Sequence, residues 1–201
     1  MMSSMDTRQL FVYIILVLSI SVEISSLTSL CDFEAEFPNT WGCSAQQDWT
    51  EFNGHCYKLV TALFGGEPAD YTTIKHACES VGPIEFPFHS AVVQYAYLAD
   101  IQSIEENDFI AEVLTGGNRA WLGGQRVGDE FRWVIKDGDT TPFTFTNWKP
   151  TDPDNQEGNE HCVEINRGLP GKWNDLVCKR KLPGVCKYSI AAYAAGHRGP
   201  N

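Results

Sequence analysis

Between Trp148 and Cys178 the chain concentrates its oxygen donors. Asp152, Asp154 and Glu160 punctuate a stretch rich in Asn, Gln, Gly and Pro, and Asn174-Asp175 follows Trp173 a little further on. Carboxylate and amide oxygens are hard donors, and Ca2+ takes six to eight of them at about 2.3–2.6 Å in a cage that need not be regular. Four acids gathered without a cation would repel one another. The same residue types serve any solvated loop, so the stretch alone fits both a calcium site and a plain surface loop. His55-Cys56 and His161-Cys162 suggest a second chemistry, a thiol activated by an imidazole. Adjacency in sequence is not the geometry such a pair needs.

These residues have to be carried by one compact unit. At 201 residues, 43% apolar and 12% aromatic, the chain can bury one full core and has little length for a second. An uncharged apolar run from Leu10 to Val22 follows Arg8 and is succeeded by Ser21, Ser25 and Ser26, the layout of a signal peptide over 1–26. Glu23 closes that run well short of the roughly 20 residues a membrane span requires. The expectation is therefore a secreted, extracellular protein without membrane insertion. Seven cysteines in an oxidising compartment read as disulfides before metal ligands or nucleophiles, with one left over. The net charge is −11; Asp6, Arg8 and Glu23 take a net −1 away with the leader, leaving −10. Nucleic acid and acidic membrane surfaces call for a basic footprint, so neither is expected as a partner. An acidic chain suits a cation, and it equally suits simple solubility.

Two helices are legible. Over 72–81 the positions Ile74, Ala77, Cys78 and Val81 recur at helical spacing before Gly82-Pro83. Ser103-Ile104-Glu105-Glu106 predicts a capping box with Glu106 reaching back, opening a helix through Phe109, Ile110, Val113 and Leu114 to Gly116-Gly117. Phe131 and Trp133, then Phe143 and Phe145, alternate with polar residues around Asp137-Gly138, a strand and turn pattern. Helices first and short antiparallel strands later make an α+β domain. Residues 83–95, with Pro83, Pro87 and an apolar set, read as an inserted loop or hairpin. A lead segment spans 27–42, and the small, polar tail over 188–201 is expected to fray.

In order along the chain, Cys43, Trp49, Phe52, His55-Cys56-Tyr57, Cys78, Ala120-Trp121-Leu122-Gly123-Gly124, Phe131, Trp133, Phe145, Asn147-Trp148, Cys162, Trp173-Asn174-Asp175, Cys178 and Cys186 resemble the C-type lectin-like domain in its long form. Several separate motifs in one order are far more specific than a lone pattern. The resemblance covers 43–187 and implies two helices, antiparallel strands and a long loop region clamped by disulfides. It implies the pairs Cys43–Cys56, Cys78–Cys186 and Cys162–Cys178, which leaves Cys31 as a candidate for an interchain bridge and a disulfide-linked homodimer. It makes Trp121 a packing residue. With Cys56 and Cys162 so paired, catalysis and zinc binding through the His-Cys pairs fall away, and no enzyme is expected.

The resemblance further implies that Asp152, Asp154, Glu160, Asn174 and Asp175 hold a Ca2+ ion whose open positions take two neighbouring hydroxyls of a glycan. Asp152, Asp154, Glu160 and Asn174 would also hydrogen-bond the sugar, and Asp175 would add its backbone carbonyl to the ion. A second calcium site of the family is not expected, since Arg126 and His161 stand where acids belong. Mannose-type members pair an acid with an amide across the proline at 153 and galactose-type members an amide with an acid. Both positions are acids here, so the amide donor is missing. Asp154 leans toward the galactose type, but no aromatic platform follows between Asn155 and Asn159. A fold member that binds a protein or mineral surface without sugar is the alternative, against which Glu160, Asn174 and Asp175 speak.

Overall fold

A computed structural model describes residues 43, 48–61, 67–81 and 95–190. The apolar run at 10–22, Cys31, most of the insertion at 83–95 and the end of the tail lie outside them. Among the described residues no helix is long and apolar enough to cross a membrane.

The strands are β1 (Thr50–Phe52), β2 (His55–Val60), β3 (Tyr97–Leu98), β4 (Ala120–Val127), β5 (Glu130–Val134), β6 (Thr140–Pro142), β7 (Cys162–Ile165), β8 (Trp173–Leu176) and β9 (Gly184–Ser189). They pair in the order β1-β2-β9-β4-β5-β6, with β3 on β9 and β7 between β4 and β8. The pairs are antiparallel except β4 beside β9, where Trp121 meets Gly184 in parallel. The last strand carries pairing two residues past 187, His55 against Ser189 and Cys56 against Tyr188.

Helix α1 (Tyr71–Ser80) begins where Asp70 accepts the amide of Thr73 at 2.9 Å and buries Ile74, Ala77 and Cys78. Helix α2 (Ile104–Asp108) is capped by Ser103, which accepts the Glu106 amide at 3.2 Å. The capping box departs from expectation. Glu106 reaches past Ser103 to accept the amide of Gln102 at 2.8 Å, and its other oxygen takes Lys187 Nζ at 2.6 Å and the Tyr57 hydroxyl at 2.7 Å. The expected single helix also changes pitch. Phe109–Leu114 is a π-helical turn in which Thr115 donates to the carbonyl of Ile110 at 3.0 Å. The wider turn breaks the 3.6-residue period, so Phe109 and Ile110 are buried while Val113 is 69% exposed.

Two apolar clusters share the sheet. Trp121 sends its ring into one, with Trp49, Tyr71, Ile74, Leu98 and Tyr188. Leu122, next along β4, points into the other, with Ile101, Ile110, Trp133, Val163 and Trp173, as strand alternation dictates. Gly123 then has to be glycine, since a Cβ there would lie 2.2 Å from the Leu98 carbonyl oxygen. The disulfides are Cys43–Cys56, Cys78–Cys186 and Cys162–Cys178, with Cα separations of 5.4, 5.3 and 5.2 Å.

Phe143 and Phe145 are not strand residues, because β6 ends at Pro142. They open the long connection to β7 and turn inward with Trp148. The three rings surround Trp173 at centroid distances of 5.8, 5.7 and 5.7 Å, and Phe143 stacks on Trp133 at 4.0 Å. Burial of aromatic surface outcompetes strand pairing here, and the three rings tie the loop to the cluster around Leu122 and Trp173.

Candidate functional site

Two structures bring the acids together, β8 and the loop that leaves Trp148. Trp173 is buried and donates Nε1–H to Asn107 Oδ1 at 2.8 Å, which fixes the start of β8. Asn174 and Asp175 follow, both buried. Opposite them, Lys149 donates its amide to the Trp173 carbonyl at 2.9 Å, so the loop passes β8 before reaching Asp152. The Asp152-Pro153 peptide is cis. Asp152, Asp154 and Asp175 each place a carboxylate oxygen within 4.8 Å of the others.

Asp175 organises the loop. Its Oδ1 accepts the amide of Asp154 at 3.1 Å and its Oδ2 that of Asn155 at 2.8 Å, with Arg126 Nη2 3.5 Å away. Asn155 takes a left-handed conformation (φ 47°), which Asn tolerates, and its Oδ1 accepts the Glu160 amide at 3.1 Å. Glu160 is thereby folded back beside Asp154, and the Gln156 amide is shared between Asp154 Oδ1 at 3.2 Å and Glu160 Oε2 at 3.3 Å. Burial raises the Glu160 pKa above the ordinary glutamate value, and the charges of Asp175 and Asp154 raise it further against the opposing bond from Gln156.

Asn174 stands on the other side of the cluster. Its Nδ2 donates to Glu164 Oε1 at 2.9 Å, and Arg119 forks onto that fully buried carboxylate at 2.6 and 2.9 Å. Asn174 Oδ1 is thus turned toward Asp152, and Lys149 Nζ lies between them, 2.7 Å from Asn174 Oδ1 and 3.0 Å from Asp152 Oδ2. The Asp152 side chain is only 2% exposed, and its Oδ2 makes no hydrogen bond beyond that ion pair.

Three of the five residues singled out in the sequence, Asp152, Asp154 and Asp175, share one cluster, while Glu160 adjoins it through the Gln156 amide it shares with Asp154 and Asn174 through Lys149, which also meets Asp152. One detail differs from expectation: the Asp175 carbonyl accepts a short hydrogen bond from Asn174 Nδ2, since the main chain and side chain of this pair close on each other. Lys149, Asn155 and Glu164 were not singled out. Lys149 stands three residues before Asp152, a spacing without helical or strand meaning in a loop, and Glu164 lies in β7, where both faces are buried and alternation carries no signal. Cys56 and Cys162 are disulfide-bonded, so neither His-Cys pair holds a free thiol.

The donor set is all oxygen and carries four acids, and Lys149 alone meets the buried Asp152 Oδ2. These features fit a hard divalent cation of the Ca2+ kind and no softer one.

Known proteins were compared with this chain. Residues 92–188 match the family model described as the lectin C-type domain. The lectin BRA-3 of Megabalanus rosa is 34% identical over 149 residues, 74% of this chain and 80% of its own. The carbohydrate-recognition domain of cow CD23, crystallised in the presence of a GlcNAc2Man3 oligosaccharide, is 25% identical with a TM-score of 0.56 over 74% of this chain and 96% of its own. A herring type II antifreeze protein is also 25% identical at a TM-score of 0.56, over 73% and 98%. With the motif order, the disulfide frame, the mixed sheet and these likenesses in agreement, the chain belongs to the C-type lectin domain family.

Proposed function

We propose that this chain is a secreted, calcium-dependent carbohydrate-binding lectin in which Asp152, Asp154, Glu160, Asn174 and Asp175 hold the ion. One observation carries the reading. Asp152, Asp154 and Asp175 each bring a carboxylate oxygen within 4.8 Å of the others, and the buried Asp152 Oδ2 is met only by the Lys149 ammonium, at 3.0 Å. Carboxylates this close repel one another, and Lys149 on Asp152 and Arg126 on Asp175 each meet only one of them, so a cation shared by all three would stabilise the cluster.

Calcium, when bound, supplies coordination positions that two vicinal sugar hydroxyls can fill. The chain's own part is to present acceptors around them: Asp154 and Glu160 from the loop, Asp152 from its turn and Asn174 from β8. Glu164 orients Asn174 by holding its amide nitrogen. BRA-3 is a lectin and the CD23 domain was studied with an oligosaccharide, which supports a glycan as the ligand. Three disulfides support an oxidising, extracellular destination.

The test is passage of the protein over mannose and galactose resins in calcium, followed by a chelator wash. Retention released by chelator is expected on one of the two. The herring antifreeze protein supports a second reading, a surface binder without sugar. Passage through both resins together with no calcium heat in titration calorimetry would establish that reading instead.

A further inference from the structure

At the end of β4 remote from Arg126, the charge of the molecule changes sign. Arg119, Lys179, Arg180, Lys181 and Leu182 line an open recess of about 450 Å³. Six strand residues separate Arg119 from Arg126, about 20 Å at the usual rise. The recess lies away from Arg126 and Asp175, and it touches the acid cluster only through Glu164, which Arg119 and Asn174 share.

A chain with 15 Lys and Arg against 26 Asp and Glu has acids to spare, and several of its other described cations use them. Lys75 pairs with Glu79, Arg126 with Asp175, Lys149 with Asp152, and Lys187 with Asp100 and Glu106. Lys179, Arg180 and Lys181 are exposed, and among the described residues none of them forms an ion pair or a side-chain hydrogen bond. Asp70 is the acid facing them, from the start of α1. It is occupied by the Thr73 amide, and Lys179 and Lys181 act on it only at a distance.

The turn that carries the three cations is held at both ends. Cys178 is bonded to Cys162 and its carbonyl accepts the Tyr71 amide at 3.0 Å. Leu182 exchanges backbone bonds with Ala69 at 3.0 and 3.3 Å, and the Arg180 amide closes the turn on Val177 at 3.0 Å. The backbone thus keeps three like-charged residues next to one another in sequence and in space. Arg119 is fixed across from them by its fork onto Glu164 through Nε and Nη2, which leaves Nη1 uncommitted. Three unpaired cations on a held backbone, with Arg119 Nη1 across from them, present charged donors around a recess in a way that suits a tetrahedral oxyanion.

We infer that this recess is a second binding site, for a sulfate or phosphate ester carried on a saccharide. Its volume exceeds that of a bare ion, and Leu182 gives an apolar wall for the face of a sugar ring. Among the described residues no aromatic side chain lines it for base stacking, and the acidic remainder of the chain repels an extended polyanion such as nucleic acid. The inference does not rest on the calcium reading, because none of the acid cluster takes part.

The experiment titrates the full chain, in chelator, with a heparin-derived hexasaccharide, its desulfated counterpart, a phosphorylated monosaccharide, a short oligonucleotide and inorganic sulfate. The sulfated hexasaccharide is expected to bind, to weaken with salt, and to lose roughly ten-fold or more in affinity in the Lys179→Gln/Arg180→Gln/Lys181→Gln variant. Comparison with the phosphorylated sugar decides which ester is preferred. The three side chains are exposed, and an unchanged unfolding midpoint confirms that the variant is folded; Arg180→Gln alone should give a partial loss. Absence of binding, equal binding of the desulfated sugar, or affinity unchanged in the triple variant overturns the inference. An oligonucleotide bound as well as the hexasaccharide overturns the saccharide assignment. Retention on mannose or galactose resin in calcium, measured separately, reports on the acid cluster alone.

Discussion

Lys149 holds the place where a cation belongs, and replacing it by methionine is the sharpest probe of the acid cluster. Its ammonium lies 2.7 Å from Asn174 Oδ1 and 3.0 Å from Asp152 Oδ2, two of the oxygens assigned to calcium, so the ion and the ammonium cannot use them together. A unit charge pair at 3.0 Å is worth about 5–6 kcal/mol at an effective dielectric of 20. Most of that returns as hydration when the lysine swings outward, and a net of about 1–2 kcal/mol remains for a pair with one buried partner. Lys149→Met should therefore tighten calcium binding about ten-fold. The calcium-free variant should also melt lower, by about 2–4 °C per kcal/mol, since Asp152 is left with no counter-charge, and added calcium should raise its midpoint by more than it raises the wild type. Lys172→Met is the control for bulk charge: it removes the same charge from a lysine bonded to Asn147 at 2.6 Å and not to the acids. Titration calorimetry and thermal unfolding, with and without calcium, make the measurement. A calcium affinity in Lys149→Met equal to or below that of Lys172→Met would refute the competition.

Four further outcomes are expected. Calcium affinity should be full at neutral pH and fall on acidification at a higher pH than an ordinary glutamate would dictate, because Glu160 has a raised pKa and must shed its proton to bind metal; pH-independent calorimetry would contradict this. The same shift means that the calcium-free fold gains stability as pH falls through that pKa and loses it as pH rises. Asp154→Asn restores acid-then-amide polarity across Pro153 and removes one of four acids, so it should shift resin retention toward mannose; retention unchanged on both resins would count against the assignment. Glu164→Gln should lower stability by about 2–4 kcal/mol by leaving Arg119 without its carboxylate and weaken calcium binding through Asn174; a variant with wild-type affinity would remove Glu164 from the site. Cys31→Ser should convert a dimer band to a monomer on a non-reducing gel, and a wild-type monomer band would dismiss the interchain bridge.

Much of this was legible because it rests on residues that admit few alternatives. Ile74, Ala77 and Cys78 mark a helix by spacing alone, and the order of tryptophans and cysteines pins the family. The five oxygen donors were singled out because loop acids near Trp173 and Cys162 have a fixed place in that order, and three of them, Asp152, Asp154 and Asp175, cluster. What escaped depends on geometry that no local pattern encodes. The π turn after Asp108 rotates Val113 to solvent although its spacing matches its buried neighbours. Phe143 and Phe145 alternate like strand residues, yet Trp173 captures both. Lys149 and Glu164 act across 25 and 10 positions on Asn174, contacts that only the pairing of β7, β8 and the loop creates.

The anchoring of Phe143, Phe145 and Trp148 on Trp173 has an evolutionary corollary. These rings settle how the long connection is tethered, and residues beyond them, from Asp152 to Glu160, hang on bonds to Asp175 and to one another. Rewriting that segment would leave the aromatic tether and the sheet untouched. Recognition can therefore drift, changing which hydroxyl pattern or which surface is read, at little risk to folding. The fold thus separates what must be kept from what may vary at a single point in the chain, and new specificities need only local substitutions after Trp148.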